Sequence, residues 1–285
     1  MKNDITLEMI IKQCEDLFLQ SDLFYGHGTD NAWDEAVALV LGCLKLAYDS
    51  DPDGAVSEQD CEQIKALASR RIKELIPVPY LVKQAWFAGL PFYVDERVII
   101  PRSPLAEWIA RGFEPWLATD KIHRVLDLCT GSGCIAIACA YAFPEAQVDA
   151  VDISTDALAV AKINVEKHGL TDRVHLIQSD MFEALGNREY DLIITNPPYV
   201  GKIDMQDLPP EYTHEPVLAL ESGDEGLDAV DEILRKAPQY LSENGLLVVE
   251  VGCSQSAVEK TYPDLPLIWL ECEHGGEGIF LYSFH

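Results

Sequence analysis

The chain lacks any run of ~18 consecutive apolar residues, the length a membrane-spanning helix needs, so no membrane partner is expected. Its opening, Met1-Lys2-Asn3-Asp4 and then Lys12, Glu15 and Asp16, lacks the charged-then-apolar layout of a secretion signal. The eight cysteines form no Cys-x-x-Cys pair and sit beside no spaced pair of histidines, which argues against zinc. Several lie inside apolar runs, where cysteine behaves as a small hydrophobe. The expectation is reduced thiols in a cytoplasm. Positive charge is also scarce: Lys+Arg 21 stand against Asp+Glu 48, a formal net charge of -27. Proteins that grip nucleic acid by its phosphates carry a basic face. A stable nucleic-acid partner is therefore disfavoured, and a basic macromolecule suits the chain better. No internal repeat and no low-complexity tract is visible. What is present, 48% hydrophobic residues over 285 positions, can close a core, and at roughly 150 residues per domain the length predicts about two domains.

Residues 1–84 read as helical. Leu7, Ile10, Ile11, Cys14, Leu17 and Phe18 recur at helical spacing after Thr6 as N-cap. Ala32, Trp33, Ala36, Val37, Val40, Leu41 and Leu44 predict a second helix. Ser57-Glu58-Gln59-Asp60 resembles a capping box before a third, with Cys61, Ile64, Leu67 and Ile72 inward. Pro77-Val78-Pro79 breaks the pattern. Residues 85–101 predict a β-hairpin linker, with strands at 85–89 and 92–100 around Leu90-Pro91. Ser103 as N-cap and Pro104 in the first turn predict a helix with Leu105, Trp108, Ile109 and Phe113 inward. From residue 102 to 285, strands at 124–129, 147–153, 174–178, 190–195 and 245–251 alternate with helices at 133–141, 155–168 and 226–241. Two last strands, 267–272 and 278–283, follow. Apolar strands in this rhythm imply a doubly wound α/β domain with ligands at the C-terminal edge of the sheet.

The residues at that edge carry the chemistry. The first strand ends in Asp127-Leu128-Cys129-Thr130-Gly131-Ser132-Gly133. Glycines let a ligand approach the backbone while the chain turns into a helix. Asp152 ends the second strand, where a carboxylate can accept both ribose hydroxyls. Gly131-x-Gly133-x-x-Ala136 matches a dinucleotide fingerprint, so NAD and S-adenosylmethionine both remain open. Asp127 sits where it would be poorly placed beside a pyrophosphate, but can reach the loop or an ammonium group. Asp180 can accept from an adenine amino group, with Met181 or Phe182 against the ring. The sharpest signal is Thr195-Asn196-Pro197-Pro198-Tyr199. Two prolines stiffen the backbone and remove donors. The Asn196 side-chain oxygen and the Pro197 carbonyl can then both accept from one -NH2 group, beside the flat face of Tyr199. NAD chemistry calls for nothing of this kind.

At these residues the chain resembles the class I S-adenosylmethionine-dependent methyltransferases, and within them the members that methylate amino or amide nitrogens through Asn-Pro-Pro-Tyr. Pro77-Val78-Pro79-Tyr80-Leu81 and Val98-Ile99-Ile100-Pro101-Arg102 resemble the protein glutamine methyltransferases. Pro101-Arg102-Ser103-Pro104-Leu105-Ala106-Glu107, Gly26–Glu35, Phe92–Arg97 and Leu128–Cys134 resemble the branch that modifies large-subunit ribosomal protein number three. The release-factor branch usually reads Pro-Arg-Pro at the first of these and carries glycine at the position of Cys129. The resemblance implies a Rossmann-like, seven-stranded mixed sheet with a small helical N-terminal domain. It implies S-adenosylmethionine as cofactor and S-adenosylhomocysteine as product, held by Asp127, Cys129, Thr130, Gly131, Ser132, Gly133, Asp152, Asp180 and Met181. Asn196, Pro197 and Tyr199 would be catalytic, and Pro198 and Arg102 would join them in holding a glutamine. The partner implied is a basic ribosomal protein, free or in an assembling large subunit. The alternatives are a release factor, or an exocyclic amine of RNA or DNA. The proton can leave after methyl transfer, so no dedicated general base is required and no histidine is expected as one; His27, His123, His168, His175, His214, His274 and His285 read as structural or surface residues, with His27 the one that could belong to substrate recognition. Arg102 has two readings, a functional one at the active-site edge and an ion pair with Glu107. The acidic stretch 201–224 reads either as a substrate loop or as a surface excursion. The role of Glu250 is left open.

Overall fold

The computed structural model describes residues 5–273 and 275–283. The first four residues, His274 and His285 lie outside that range, as do the expectations attached to them. Three helices open the chain: α1 (Leu7–Leu19), α2 (Ala32–Leu44) and α3 (Glu58–Glu74). Each is capped as local chemistry dictates. Thr6, Asn31 and Ser57 accept from the backbone N–H three residues on. Ile10, Phe18, Leu39, Val40 and Ile64 are wholly buried where the helices meet. Leu67 and Ile72 are only partly buried; the inward position at the end of α3 belongs instead to Arg71, 1% exposed.

Pro77 does not end helical structure. Leu75 turns the chain at φ 55, and a short helix α4 (Val78–Val82) restarts with proline in its first turn, where no N–H is needed. The hairpin exists but is shorter than expected. β1 (Ala85–Phe87) pairs antiparallel with β2 (Leu90–Phe92), and Ala88 and Gly89, both at positive φ, make a two-residue turn. Leu90 and Pro91 thus lie in the strand, not the turn. Residues 93–100 are irregular and are pinned by Asn164, whose amide bridges Tyr93 N (2.7 Å) and Tyr93 O (3.0 Å), and by the Tyr80 hydroxyl on Val98 O. The helix α5 (Leu105–Ala110) begins two residues after Ser103, because the Ser103 hydroxyl accepts from Leu105 N (3.1 Å) while donating elsewhere.

The sheet follows: β3 (Arg124–Leu128), α6 (Cys134–Ala142), β4 (Gln147–Asp152), α7 (Thr155–Lys167), β5 (Val174–Gln178), β6 (Tyr190–Thr195), α8 (Asp204–Asp207), α9 (Asp228–Lys236), β7 (Leu241–Glu250), α10 (Gln255–Thr261), β8 (Ile268–Leu270) and β9 (Ile279–Tyr282). The spatial order β5-β4-β3-β6-β7-β9-β8 has parallel neighbours through β7 and antiparallel pairing at β9 and β8. This is the seven-stranded mixed sheet expected. α9 stops earlier than the sequence suggests because Pro238 cannot extend it, and β7 starts four residues before Gly245. Successive strand residues feed opposite layers. Val125, Val148, Ile194 and Val248 pack with α5 and α6, while Leu126, Val151, Ile193 and Val249 pack with α9. Connections leave β3 in one direction and reach β6 on its other side, so a crevice opens at the carboxyl ends of β3 and β6. No described helix is long and apolar enough to cross a membrane, and all eight cysteines are free.

Candidate active site

Two cavities open at that crevice. The first, about 180 Å³, is walled by Ile99, Gly131, Asp152, Asp180, Met181 and Leu218, among others. The second, about 230 Å³, is walled by Arg102, Ser103, Ser132, Tyr199, Glu250 and Gly252, among others. Ile99, Cys129, Gly131 and Asn196 belong to both walls. Asn196 follows the last residue of β6 and therefore stands at the junction.

The glycine loop has the backbone such a junction requires. Gly131 and Gly133 lie at φ 53 and 80, and a Cβ on Gly133 would come within 3.3 Å of Ala161. Asp152 ties β4 to this loop: its two oxygens accept from Gly131 N and Ser154 N, both at 2.9 Å. Burial raises its carboxyl and those N–H groups oppose the rise. Asp152 and Gly131 both line the first cavity, where a carboxylate can accept from the hydroxyls of a diol and a glycine leaves its Cα bare. Cys129 sits at φ 58, a left-handed position that favours glycine, and burial keeps its thiol protonated.

Other expected residues are placed differently. Asp127 lines neither cavity. It is fully buried beneath the loop, its Oδ2 accepting from Thr130 Oγ1 (2.5 Å) and Ala136 N (3.0 Å) while Oδ1 has no partner. Burial pushes this carboxyl up to about 7. Thr130 and Ser132 line the second cavity, not the first, and Gly133 lines neither. Phe182 does not face a ligand; it stacks on Tyr240 in the core, at 4.8 Å between centroids, and leaves Met181 alone at the wall. Pro197 is buried, and Pro198 lines the first cavity. The Tyr199 ring lies against Gly252, where a Cβ would come within 2.8 Å of it, and Ser254 Oγ holds its carbonyl at 2.6 Å. Among the described residues no histidine lines either cavity.

Arg102 pairs with Glu215 and not with Glu107. Its guanidinium holds both Glu215 oxygens, at 2.6 and 2.8 Å, while Glu107 pairs with Arg111 at 3.1 Å. Glu215 also accepts from Ile100 N at 3.0 Å. The stretch 201–224 is consequently no loose excursion. Beside Arg102–Glu215, Arg71 reaches Glu35 at 2.7 Å and Glu211 at 3.2 Å, with all three side chains at most 2% exposed. Phe24 donates to Glu211 and accepts from Arg71. These bonds clamp the stretch between the helical region and the crevice. His27 belongs to this clamp: its ring packs on Tyr212 at 4.6 Å and its Nε2 lies 3.7 Å from Glu215. Burial pulls its pKa down to about 4, against the pull of Glu215, so it is neutral at pH 7 and unsuited to gripping an acidic partner. Sequence reasoning missed Glu215, Glu211, Arg71 and Asn164. Glu250, whose role the sequence left open, ends β7 and approaches Tyr199 together with Gly252.

An open groove of about 1080 Å³ continues from the second cavity, sharing Pro101–Pro104 and Gly276 with it. Asp30, Asp34, Tyr48, Trp86 and Glu273 line its outer part.

Residues 114–210 match the family model described as methyltransferase small domain. The chain is 48% identical over 268 residues to the ribosomal protein uL3 glutamine methyltransferase of Francisella tularensis subsp. tularensis, covering 93% of this chain and 85% of that protein. It is 48% identical over 280 residues to the protein of the same name from Neisseria meningitidis serogroup B, covering 97% and 92%. Among solved structures, the hMettl16 catalytic domain in complex with MAT2A 3'UTR hairpin 6 superposes with TM-score 0.56 at 17% identity, over 82% of this chain and 86% of that one. At such identity the likeness is one of fold.

Proposed function

The chain belongs to the ribosomal protein uL3 glutamine methyltransferases, and from that membership we propose that it transfers a methyl group from S-adenosylmethionine to the side-chain amide nitrogen of a glutamine in uL3. The observation that supports the reading is the place of Asn196, in the wall shared by the two cavities, one lined by Asp152 and Asp180 and the other by Tyr199 and Glu250. When bound, S-adenosylmethionine supplies an electrophilic methyl group on a sulfonium. Asp152 and Asp180 would hold its ribose and adenine, Met181 would pack on the ring, and Gly131 would admit the chain of the cofactor. Asp127 would act one step back, by holding the Thr130–Gly133 loop in shape.

An amide nitrogen is a poor nucleophile because its lone pair is delocalised. Asn196 Oδ1 and the Pro197 carbonyl would take its two hydrogens and fix its orientation. Both oxygens also stabilise positive charge as it grows on nitrogen. Tyr199 would pack on the amide plane, held there by Gly252. Arg102, tied to Glu215, would shape the entrance and not bind the amide itself. In this reading residues 1–84 recognise the substrate, 85–101 link, and 102–285 bind cofactor and catalyse. The acidic edge of the groove, with Asp30 and Asp34, suits a basic ribosomal protein.

Asp152→Ala is expected to weaken S-adenosylmethionine binding about 10–100-fold, the loss of charge-assisted hydrogen bonds to a diol. Calorimetry checks it, and an unchanged affinity would remove Asp152 from the site. The function itself is tested with methyl-labelled S-adenosylmethionine and three separate acceptors: uL3, a release factor and ribosomal RNA. One methyl on one glutamine of uL3 is the expected product. Methyl on the release factor would keep the chemistry and change the target. Label in RNA alone would overturn the amide reading.

A further inference from the structure

Glu250 ends β7 at 4% exposure, in the wall of the cavity that also holds Asn196 and Tyr199. Its two oxygens are served unequally. Oε2 accepts a hydrogen bond from the Ser103 hydroxyl, whereas Oε1 has only the Tyr199 hydroxyl at 3.5 Å, the outer limit for such a bond. A buried carboxylate oxygen so weakly used has capacity for a closer donor. The charged and titratable groups around it are few. Arg102 approaches from the segment before α5 but is engaged by Glu215; Tyr199 comes from the turn after β6; Cys272 and Glu277 come from the segment before β9. No described cation claims Glu250 as its own partner.

We propose that Glu250 is the proton acceptor of the methyl-transfer step. The inference rests on the amide-methylation reading above. As the amide nitrogen bonds to the methyl carbon, the carbon–sulfur electron pair stays with sulfur. One of the two N–H protons, let go by Asn196 Oδ1 or the Pro197 carbonyl as the nitrogen pyramidalises, passes to Glu250 Oε1, directly or through the Tyr199 hydroxyl, and afterwards leaves to solvent. Removing the proton as the bond forms preserves the amide resonance that direct attack would interrupt. Burial suits the group to this task. It pushes the Glu250 carboxyl up to about 7, against the opposing pull of Ser103, Arg102 and Tyr199, and a base is most effective when its pKa lies near working pH. Tyr199, pushed further up by its own burial, stays protonated and able to relay.

The test compares wild type, Glu250→Gln and Glu250→Asp in single-turnover transfer to uL3 between pH 6 and 9, with cofactor affinity measured alongside. The wild-type rate should fall about tenfold per pH unit below about 7, as the carboxylate protonates. Glu250→Gln should be about 100-fold slower with that limb abolished and cofactor affinity unchanged. Glu250→Asp, which keeps the carboxylate at a longer reach, should be slower but keep a limb; it carries the test if the Gln variant does not fold. A second readout needs no turnover: carbon NMR of glutamate-labelled protein should show a carboxyl titrating near 7 that is missing from the variant. A Glu250→Gln enzyme with the wild-type rate and limb, or a Glu250 carboxyl that titrates near the ordinary glutamate value, overturns the proposal. A wild-type enzyme that leaves every glutamine unmodified overturns the amide reading instead.

Discussion

Asn196→Ala is expected to lower the methyl-transfer rate about 10²–10³-fold while cofactor affinity stays within a few-fold. The magnitude is that of losing one preorganised polar group aimed at charge that grows in the transition state. Asn196 lies in the wall shared by the two cavities, so its side chain would meet the acceptor nitrogen, whereas the ribose and adenine would be held by Asp152 and Asp180. The sulfonium starts positive and the acceptor nitrogen starts neutral. Positive charge therefore moves toward Asn196 Oδ1 during transfer, and the variant loses more in the transition state than in the bound ground state. Single-turnover rates and calorimetric affinities, measured on the same preparation, separate the two effects. An Asn196→Ala enzyme with the wild-type rate would overturn the assignment. A variant that loses cofactor affinity in proportion to rate would place Asn196 in the cofactor site alone.

Arg71→Met should destabilise the protein by about 3–5 kcal/mol, although Arg71 touches neither cavity. Methionine matches the length of the side chain but leaves Glu35 and Glu211 buried without their cation. An uncompensated buried charge is what makes removal of one partner so costly, even where the intact pair adds little net stability. On the usual scaling for a chain of this size the melting temperature should fall by roughly 6–20 °C. Hydrogen exchange should rise first around Glu211 in the stretch 201–224, because the Arg71 anchor is lost there while Arg102–Glu215 and the His214 contact to Glu74 O remain. Adding Glu35→Gln and Glu211→Gln to Arg71→Met should recover part of the loss, because the buried charges are then removed together. A variant that melts within 1–2 °C of wild type, where roughly the first kcal/mol would already show, would mean that water reaches the clamp.

Much of the architecture was legible because it is written in short-range pattern. The caps at Thr6, Asn31 and Ser57 lie within three residues of what they cap. The alternation of apolar strands and helices from β3 onward required a parallel sheet covered on both faces. Boundaries slipped where a single residue outweighed the pattern. Ala88-Gly89 made the hairpin turn through positive φ, and Pro238 stopped α9 before the apolar run ended. In the crevice, the Asn196–Tyr199 motif and the Gly131–Gly133 loop were visible because their spacing alone constrains the backbone.

The sequence by itself determined the helical start, the sheet and the family, since each depends on residues near one another in the chain. Only the tertiary structure decided which charges matter. In the sequence, Arg71, Glu211 and Glu215 are three among many charged residues of an acidic protein, for which the ordinary expectation is a solvated surface, and Glu250 closes an apolar strand with its role left open. Folding brings Arg71 to Glu211 and Arg102 to Glu215 across separations of 140 and 113 residues. It also buries Glu250 in the wall of the cavity that Asn196 and Tyr199 line. Desolvation, which turns a weak surface pair into a clamp and an ordinary carboxyl into one that titrates near 7, is a property of the surroundings a side chain acquires on folding.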